Sequence, residues 1–160
     1  MSSRLEVRAE LAAGLDRVWD ELVDWAGQER WIPLTTVRVQ SAHEEGLGVR
    51  IAALSGRWIG RLPLGLLDNF VVTGWSPPSG GQAELEVLHL GPWFSGEGVF
   101  HLTGDTSRTT VHATELFTVP GGPLTNRLVG LALPLMRIGF RLSLKQLGAV
   151  VEGPAPSRTR

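Results

Sequence analysis

The stretch that decides the fold is the long apolar segment from residue 123 to residue 152, PLTNRLVGLALPLMRIGFRLSLKQLGAVVE. At 100° per residue its charged side chains share one narrow sector of a helix, and apolar side chains cover an arc of roughly 240°. A helix that packs on one side only needs an apolar arc little wider than about 100°. The segment is therefore predicted to form one long helix enclosed by a concave partner, and Pro134 is predicted to kink it.

The residues before this helix alternate between strand-like and turn-like segments. Residues 5–11 place apolar side chains at every second position, as in a half-buried strand, and residues 15–23 and 26–32 are predicted to form two short helices. Six further strands are predicted, at 36–41, 48–54, 70–75, 83–90, 94–103 and 109–119. This order predicts an α+β fold, in which a seven-stranded antiparallel curved sheet surrounds the long C-terminal helix. Residues 1–152 would form this single domain, and residues 153–160 a disordered tail.

Composition and charge exclude several classes of function. The formal net charge is −1, which does not favour a nucleic-acid partner, and the absence of cysteine excludes disulfides and thiolate chemistry. His101 and His112 fall on one solvent-facing side of adjacent strands with no third ligand, so no metal site is predicted. The longest uncharged stretch of the helix, residues 128–136, is too short to cross a bilayer, so no transmembrane segment is expected. We therefore expect a soluble, cytoplasmic protein with no cofactor.

Four short motifs occur in an order that is found in a known superfamily. They are VWDELVDW (18–25), RWIP (30–33), WSPP (75–78) after a strand, and GEGVF (96–100). In this order they resemble the START-like SRPBCC superfamily, in particular its polyketide cyclase/dehydrase branch, over nearly the whole chain. The resemblance implies the helix-grip fold, with a ligand cavity between the curved sheet and the C-terminal helix. It leaves the function open, because the superfamily includes both ligand carriers and aromatase/cyclases.

The strand pattern predicts which side chains face such a cavity. If Gly91-Pro92 and Asp105-Thr106 centre two hairpins, both registers place the same set of side chains on the inner face. A slip of one residue in either hairpin would invert this assignment. The candidate ligand-binding residues are Phe70, Val72, Val87, Gly96, Gly98, Phe100, Ala113 and Phe117 from the sheet, and Leu128, Leu131 and Leu135 from the helix.

Two ionisable residues, His89 and Glu115, fall on the same inner face. Desolvation there would favour the neutral forms of both side chains, which is a common preparation for acid/base chemistry. Their backbones are predicted to lie on the order of 12 Å apart, so the two side chains would contact opposite ends of one small ligand rather than each other. In an enzyme, Glu115 would be the general base or acid and His89 its opposite or an orienting donor. In the structural alternative, Glu115 pairs with an arginine at the sheet rim and His89 is hydrogen-bonded near a strand end.

Residues 55–67, SGRWIGRLPLGLL, link two predicted strands and are richer in leucine than a solvated loop. One hypothesis is a mobile lid over the cavity, with Arg57 or Arg61 binding a polar end of the ligand. The alternative is a loop that packs down as additional core and covers a sheet edge.

Three classes of function remain open. The first, which we prefer, is a carrier or sensor that binds an apolar small molecule of the polyketide, isoprenoid or acyl-lipid type. The second is an aromatase/cyclase or dehydratase-type enzyme that acts on a polyketide-like substrate by acid/base chemistry. The resemblance would imply a tyrosine and an arginine in a cyclase pocket, whereas this chain has no tyrosine. The third is an interaction protein or homodimer that uses the outer side of the helix, where Val129, Leu133, Met136 and Phe140 recur at helical spacing.

Overall fold

The computed structural model describes residues 3–59, 62–121 and 123–154, with their side chains except those of 57–59, 62–64, 123, 124, 126 and 128. Seven antiparallel strands form one sheet in the spatial order β1-β7-β6-β5-β4-β3-β2. The strands are β1 (Ser3–Leu11), β2 (Thr35–Val39), β3 (Arg50–Ile59), β4 (Leu62–Ser79), β5 (Gln82–Pro92), β6 (Ser95–Gly104) and β7 (Thr109–Thr118). The predicted fold class is confirmed, because this curved sheet is combined with α1 (Leu15–Val23), a short 3-10 helix (Ala26–Arg30) and a long C-terminal helix, α2 (Pro123–Glu152).

Helix α1 fills one end of the concave face of the sheet. Leu15, Val18 and Leu22 are spaced by three and four residues, so they lie on one helical face and are buried. The backbone N–H of Leu15 donates to the carbonyl of Asp105 at 2.9 Å, which fixes the start of α1 at the β6–β7 turn. The apolar face of α1 belongs to one core cluster with sheet residues that include Val72, Leu85, Leu102, Val111 and Ala113.

Alternate turns of the antiparallel sheet lie at opposite ends. The end beside α1 carries the β4–β5 and β6–β7 turns. The other end carries the β3–β4 and β5–β6 turns and the segment that joins β7 to α2; we call it the open end. Because α1 is anchored at the β6–β7 turn, the space between sheet and helices remains at the open end.

The two central hairpins are each paired two residues away from the predicted register. His89 pairs with Gly96 rather than Phe94, and Glu115 pairs with Gly98 rather than Gly96. The difference arises because four residues, not two, separate the paired strands at each turn. Since side chains alternate with a period of two, an even shift leaves every side chain on its predicted face.

The apolar segment 55–67 is a hairpin rather than the loop that both hypotheses assumed. β3 and β4 are paired through it from Leu54 and Leu67 to Ile59 and Leu62. The leucines at 62, 64 and 66 alternate with other residues, which is the period of a strand and not of a loop. Residues 60 and 61, and the side chain of Arg57, lie outside the described residues.

Among the described side chains of helix α2, all the buried ones lie in its second half. Leu144, Leu147 and Val151 are buried there, and α2 lies along the edge strand β1. In the first half, Leu131 and Leu135 are exposed by 79% and 72%. The prediction that a concave partner encloses the whole apolar arc is therefore wrong for the first half, because α1 already fills much of the concave face.

Candidate ligand site

An apolar pocket of about 230 Å³ lies at the open end of the sheet. It is bounded by β3, β4, β5, β6 and β7 on one side and by the helices on the other. Much of its wall is aromatic, from Trp25, Trp31, Phe70, Phe94, Phe100 and Phe140. The pocket is therefore suited to the apolar body of a small molecule.

A second pocket of about 310 Å³ adjoins the first on the side of α2. Its α2 wall includes Met136 and Gly139, and its sheet wall includes Leu5 and Phe117. Both pockets are lined by His89, Phe94, Glu115, Phe140 and Ser143. The ionisable side chains of the site therefore stand at the boundary between the two spaces.

His89 is held between two carboxylates that come from two other strands. Its Nδ1–H donates to Oδ2 of Asp68 on β4 at 2.8 Å, and its Nε2 lies 3.2 Å from Oε2 of Glu115 on β7. The exposed fractions of the side chains are 10% for His89, 16% for Asp68 and 18% for Glu115. We call these three residues the charged cluster. All three side chains lie in the largely apolar interior at the open end.

The carboxylates decide the protonation state of His89. Burial would lower the pKa of His89, but the hydrogen bond to Asp68, the close contact with the Glu115 carboxylate and the negative charges of both outweigh it and raise the pKa to about 9. His89 is therefore an imidazolium at neutral pH. Its ring lies 5.6 Å from that of Phe70 and 5.1 Å from that of Phe94, distances at which an aromatic ring can stabilise a cation. The predicted neutral histidine is wrong, because Asp68 was not part of that prediction.

Gly98 allows Glu115 to contact His89 across the intervening strand β6. The carboxylate of Glu115 occupies the space beside this glycine, where a Cβ atom would lie 2.8 Å from Oε1 and 2.9 Å from Oε2. Without a side chain in the way, Glu115 on β7 reaches His89 on β5. The prediction that the two side chains would not contact each other is therefore wrong, since it considered only the separation of their backbones.

Three buried polar atoms around the pocket have no hydrogen-bond partner within the described part of the chain. They are Nε1 of Trp31, Oδ1 of Asp68 and Nε2 of His89. The Nε2 atom of His89 lies within ion-pair distance of Glu115 but is not aligned for a hydrogen bond with it. A buried polar group without a partner typically costs about 1–3 kcal/mol, so most such groups are paired in folded proteins. A bound molecule with a donor for Asp68 and an acceptor for Trp31 would supply the missing partners.

The predicted sheet residues divide between the two pockets and the core. Those that line a pocket are Phe70, Val87, His89, Phe100, Glu115 and Phe117. Val72 and Ala113 are instead packed in the core, because α1 covers this part of the sheet. Gly96 and Gly98 lie on β6, the strand between β5 and β7. The carboxylate of Glu115 covers Gly98.

The predicted helix residues do not reach the site. Leu131 and Leu135 are directed to solvent, because Leu131 and Phe140 are nine positions apart and therefore on opposite sides of α2. The side chains of Leu128 and Arg57, and all of Arg61, lie outside the described residues.

Sequence reasoning missed the residue that holds His89 in place. The strand was predicted to begin at Phe70, so Asp68 was assigned to no element. Asp68 precedes Phe70 by two positions on β4, and a period of two would have placed both on the inner face. Phe140 was assigned to the outer side of the helix together with Met136, whereas both line the second pocket. The periodicity was present in both elements, but the start of β4 was placed too late and the pocket-facing side of α2 was taken for its outer side.

The other two histidines of the sheet, His101 and His112, form exposed ion pairs. His101 pairs with Glu84, and His112 pairs with Glu6, on the outer face of the sheet. Across residues 3–59, 62–121 and 123–154, no three His, Asp or Glu side chains are arranged to hold a metal ion. Within the same ranges, no helix has the length and apolar character needed to cross a membrane.

Solved structures of several proteins share this fold. No protein-family model matches the sequence, and no curated protein matches it either. An aromatase/cyclase (Zhui) from a Streptomyces species is 14% identical over 98% of both chains, with a TM-score of 0.71. Norcoclaurine synthase from Thalictrum flavum, in complex with dopamine and hydroxybenzaldehyde, is 12% identical over 98% of this chain and 90% of that one, with a TM-score of 0.61. A START superfamily protein from Mycobacterium smegmatis is 14% identical over 90% and 98%, with a TM-score of 0.58, so the chain has a START-like fold.

Proposed function

We propose that the protein binds a compact, largely apolar small molecule in the pocket at the open end. The observation that carries this proposal is the charged cluster in the wall of an otherwise aromatic pocket. The aromatic side chains would bind the body of the ligand by removing it from water. The charged cluster would bind its polar end. The START-like fold supports the proposal by analogy only, since one fold serves many functions.

The volume of the pocket limits the size of this ligand. A cavity of about 150 Å³ can hold one benzene molecule, and the present pocket measures about 230 Å³. We therefore propose a molecule of one or two rings, or a short isoprenoid or acyl chain. The adjoining pocket of about 310 Å³ would accept a longer polyketide-like or acyl ligand that extends towards α2.

The polar end of the ligand would carry a hydrogen-bond donor. Oδ1 of Asp68 is a buried acceptor without a partner among the described residues, and the charged cluster holds two carboxyl groups for one imidazolium. A hydroxyl or amino group next to Asp68 would pair with this oxygen. Such a pair involves an ionised acceptor, which makes the hydrogen bond stronger than one between neutral groups.

A fluorescence titration with 2-naphthol, which has two rings and one hydroxyl donor, tests the binding proposal. The wild type should bind it saturably, and Ala53→Leu should weaken binding because Ala53 faces the pocket. Ala52→Leu is the matched control, since Ala52 lies on the opposite face of the same strand. The proposal fails if the wild type shows no saturable binding, or if both variants bind as the wild type does.

One observation favours a second candidate, an acid/base enzyme. Glu115 and the charged His89 place a base and a cationic donor side by side at the pocket boundary. With a ketone bound beside both side chains, Glu115 would take a proton from the carbon next to the carbonyl group. His89 would donate its Nε2 proton to the carbonyl oxygen, and the product would be the enol. Proton transfer of this kind would begin cyclisation or dehydration of a polyketide-like substrate.

Deuterium exchange into 2-tetralone, a two-ring ketone with acidic C–H groups, tests this candidate by NMR. Glu115→Gln should slow exchange by at least about 100-fold while affinity for the ketone stays within about tenfold. Glu97→Gln is the control, because Glu97 is exposed on the other face of the sheet. If the wild type exchanges the ketone no faster than buffer does, or if Glu115→Gln retains full activity, the enzyme candidate fails and only binding remains.

The extent and location of the binding unit are part of the proposal. We propose that residues 1–152 act as one ligand-binding domain, since α2 ends at Glu152 and contributes to both pockets. A cytoplasmic location is proposed with it, because a chain without cysteine has no need of an oxidising compartment.

A further inference from the structure

Helix α2 has two apolar sides. One packs against the described part of the chain or lines a pocket, and the other is exposed. The exposed side carries leucine and isoleucine at spacings of four, three and four residues, which places them in one line along the helix. They are Leu131, Leu135, Ile138 and Leu142, with exposed fractions of 79%, 72%, 52% and 49%. We call this line the outer stripe. Val129, Leu133, Met136 and Phe140 form a different line, and the last two line the second pocket.

Only positive charges flank the outer stripe on its own helix. They are Arg127, Arg137, Arg141 and Lys145, all exposed. Helix α2 has no acidic residue before Glu152, at which it ends, although the chain as a whole has a net charge of −1. Among the described residues, none of the four cations lies within ion-pair distance of a carboxylate. The outer stripe and the cations beside it thus form a basic and apolar surface on a slightly acidic protein.

The charge distribution indicates what kind of surface covers the outer stripe. In a two-fold pair of chains, the basic flanks of the two helices would face each other with no acidic side chains between them. An anionic bilayer complements both features of the helix. The apolar stripe would enter the boundary between headgroups and acyl chains, and the long arginine and lysine side chains would reach the lipid phosphates.

We propose that α2 docks the protein on an anionic lipid bilayer through the outer stripe. A second part of the molecule adds exposed apolar surface at the end of the sheet where α2 begins. Leu90 and Trp93, at the β5–β6 turn, are each exposed by 55% at the same open end of the sheet. Tryptophan is favoured at the interface between membrane and water. Because the other side of α2 lines the second pocket, docking would bring that pocket close to the bilayer.

Flotation with vesicles tests the apolar part of this contact. The full chain should float with vesicles of phosphatidylcholine and phosphatidylglycerol, and much less with phosphatidylcholine alone. The double variant Leu131→Ser/Leu135→Ser should bind the anionic vesicles at least about tenfold more weakly, because it removes two leucine side chains from the contact. The matched control is Leu47→Ser, a leucine exposed by 62% in the β2–β3 loop at the other end of the sheet. The double variant and Leu47→Ser should both keep the thermal unfolding curve of the wild type, since all three replaced leucines are exposed.

The charged part of the contact has its own test. Arg137→Gln/Arg141→Gln should weaken binding to the anionic vesicles by about fivefold for each charge removed, and added salt should weaken wild-type binding. Arg38→Gln, an exposed arginine on β2, should leave binding unchanged. Failure of the wild type to float with anionic vesicles would overturn the proposal, as would wild-type binding by the Leu131→Ser/Leu135→Ser variant. So would a dimer in light scattering that the same leucine variant converts to monomer, because a second copy would then cover the outer stripe.

Discussion

The carboxylate of Glu115 lies over Gly98, the residue with which it is paired across β6 and β7. This relationship joins three strands at one point, because the carboxylate extends over the glycine to the imidazolium of His89 on β5. A glycine inside a strand weakens the strand, so its presence here calls for a local reason. The reason is the space that Glu115 needs to reach His89.

Replacement of Gly98 by alanine should separate Glu115 from His89. The new Cβ atom would meet both carboxylate oxygens within 2.9 Å, and the flexible end of Glu115 would have to move. The pKa of His89 should then fall below its value of about 9, because one of two stabilising charges is lost. An NMR titration of the His89 ring measures this. Gly130→Ala is the control, since no atom lies within 4 Å of a Cβ atom at that exposed helix position; an unchanged titration in Gly98→Ala would refute the role of the glycine.

The stability of the protein should depend on pH through His89. Its pKa is raised from 6.5 to about 9 in the folded state, so its contribution is fully present below about pH 6.5 and is lost as the pH rises through about 9. A shift of this size corresponds to roughly 3 kcal/mol in the free energy of unfolding. Urea unfolding between these pH values should show the decline, and Asp68→Asn should reduce it. His101→Gln should leave the decline unchanged, because His101 is on the outer face of the sheet. If the stability of Asp68→Asn declined with pH as much as that of the wild type, the result would count against the charged cluster.

Two alanines on the inner face should respond differently to enlargement. Ala113 is fully buried in the core, so Ala113→Leu should lower the free energy of unfolding by about 1–3 kcal/mol through overpacking. Ala53 borders the pocket, so Ala53→Leu has space to occupy and should lower it by less than about 1 kcal/mol. Chemical denaturation of both variants provides the comparison. Equal losses would mean that the interior has no usable space at Ala53.

The two halves of α2 should differ in their contribution to stability. Leu144 is completely buried, so Leu144→Ala should cost about 2–5 kcal/mol. Leu135 is exposed, so Leu135→Ala should change the free energy of unfolding by no more than about 0.5 kcal/mol. Thermal or urea unfolding measures both. A large loss in Leu135→Ala would show that the first half of the helix packs against the protein in solution.

The fold could be predicted because it depends on local periodicity. Alternation along the strands and the order of elements are properties of neighbouring residues, and they placed seven strands before one long helix. The predicted register of each of the two hairpins was off by two residues. Because this is an even number, the partners of His89 and Glu115 changed but neither side chain moved to the other face of the sheet. An odd error would have placed both side chains in solvent.

The site could be predicted only in part, because it depends on distances between strands. Helical periodicity shows that two sides of α2 are apolar, but it does not show which one faces the sheet, and Leu131 and Leu135 were assigned to the wrong one. The pKa of His89 depends on Asp68, which is 21 positions away along the chain and adjacent only after β4 and β5 pair. Charge pairs of this kind have no signature in the local pattern.

The chain has four histidines, and all of them lie in the part that the structure describes. Only His89 is buried, since His43 is exposed and His101 and His112 lie on the outer face of the sheet. A ligand bound in the interior should therefore change the ring signals of His89 in an NMR spectrum more than those of the other three histidines. His89 lines both pockets, so a molecule bound in either one should shift those signals whatever its chemical class. The protein thus contains its own spectroscopic reporter, with which compound collections and cell extracts can be screened for a ligand without any label.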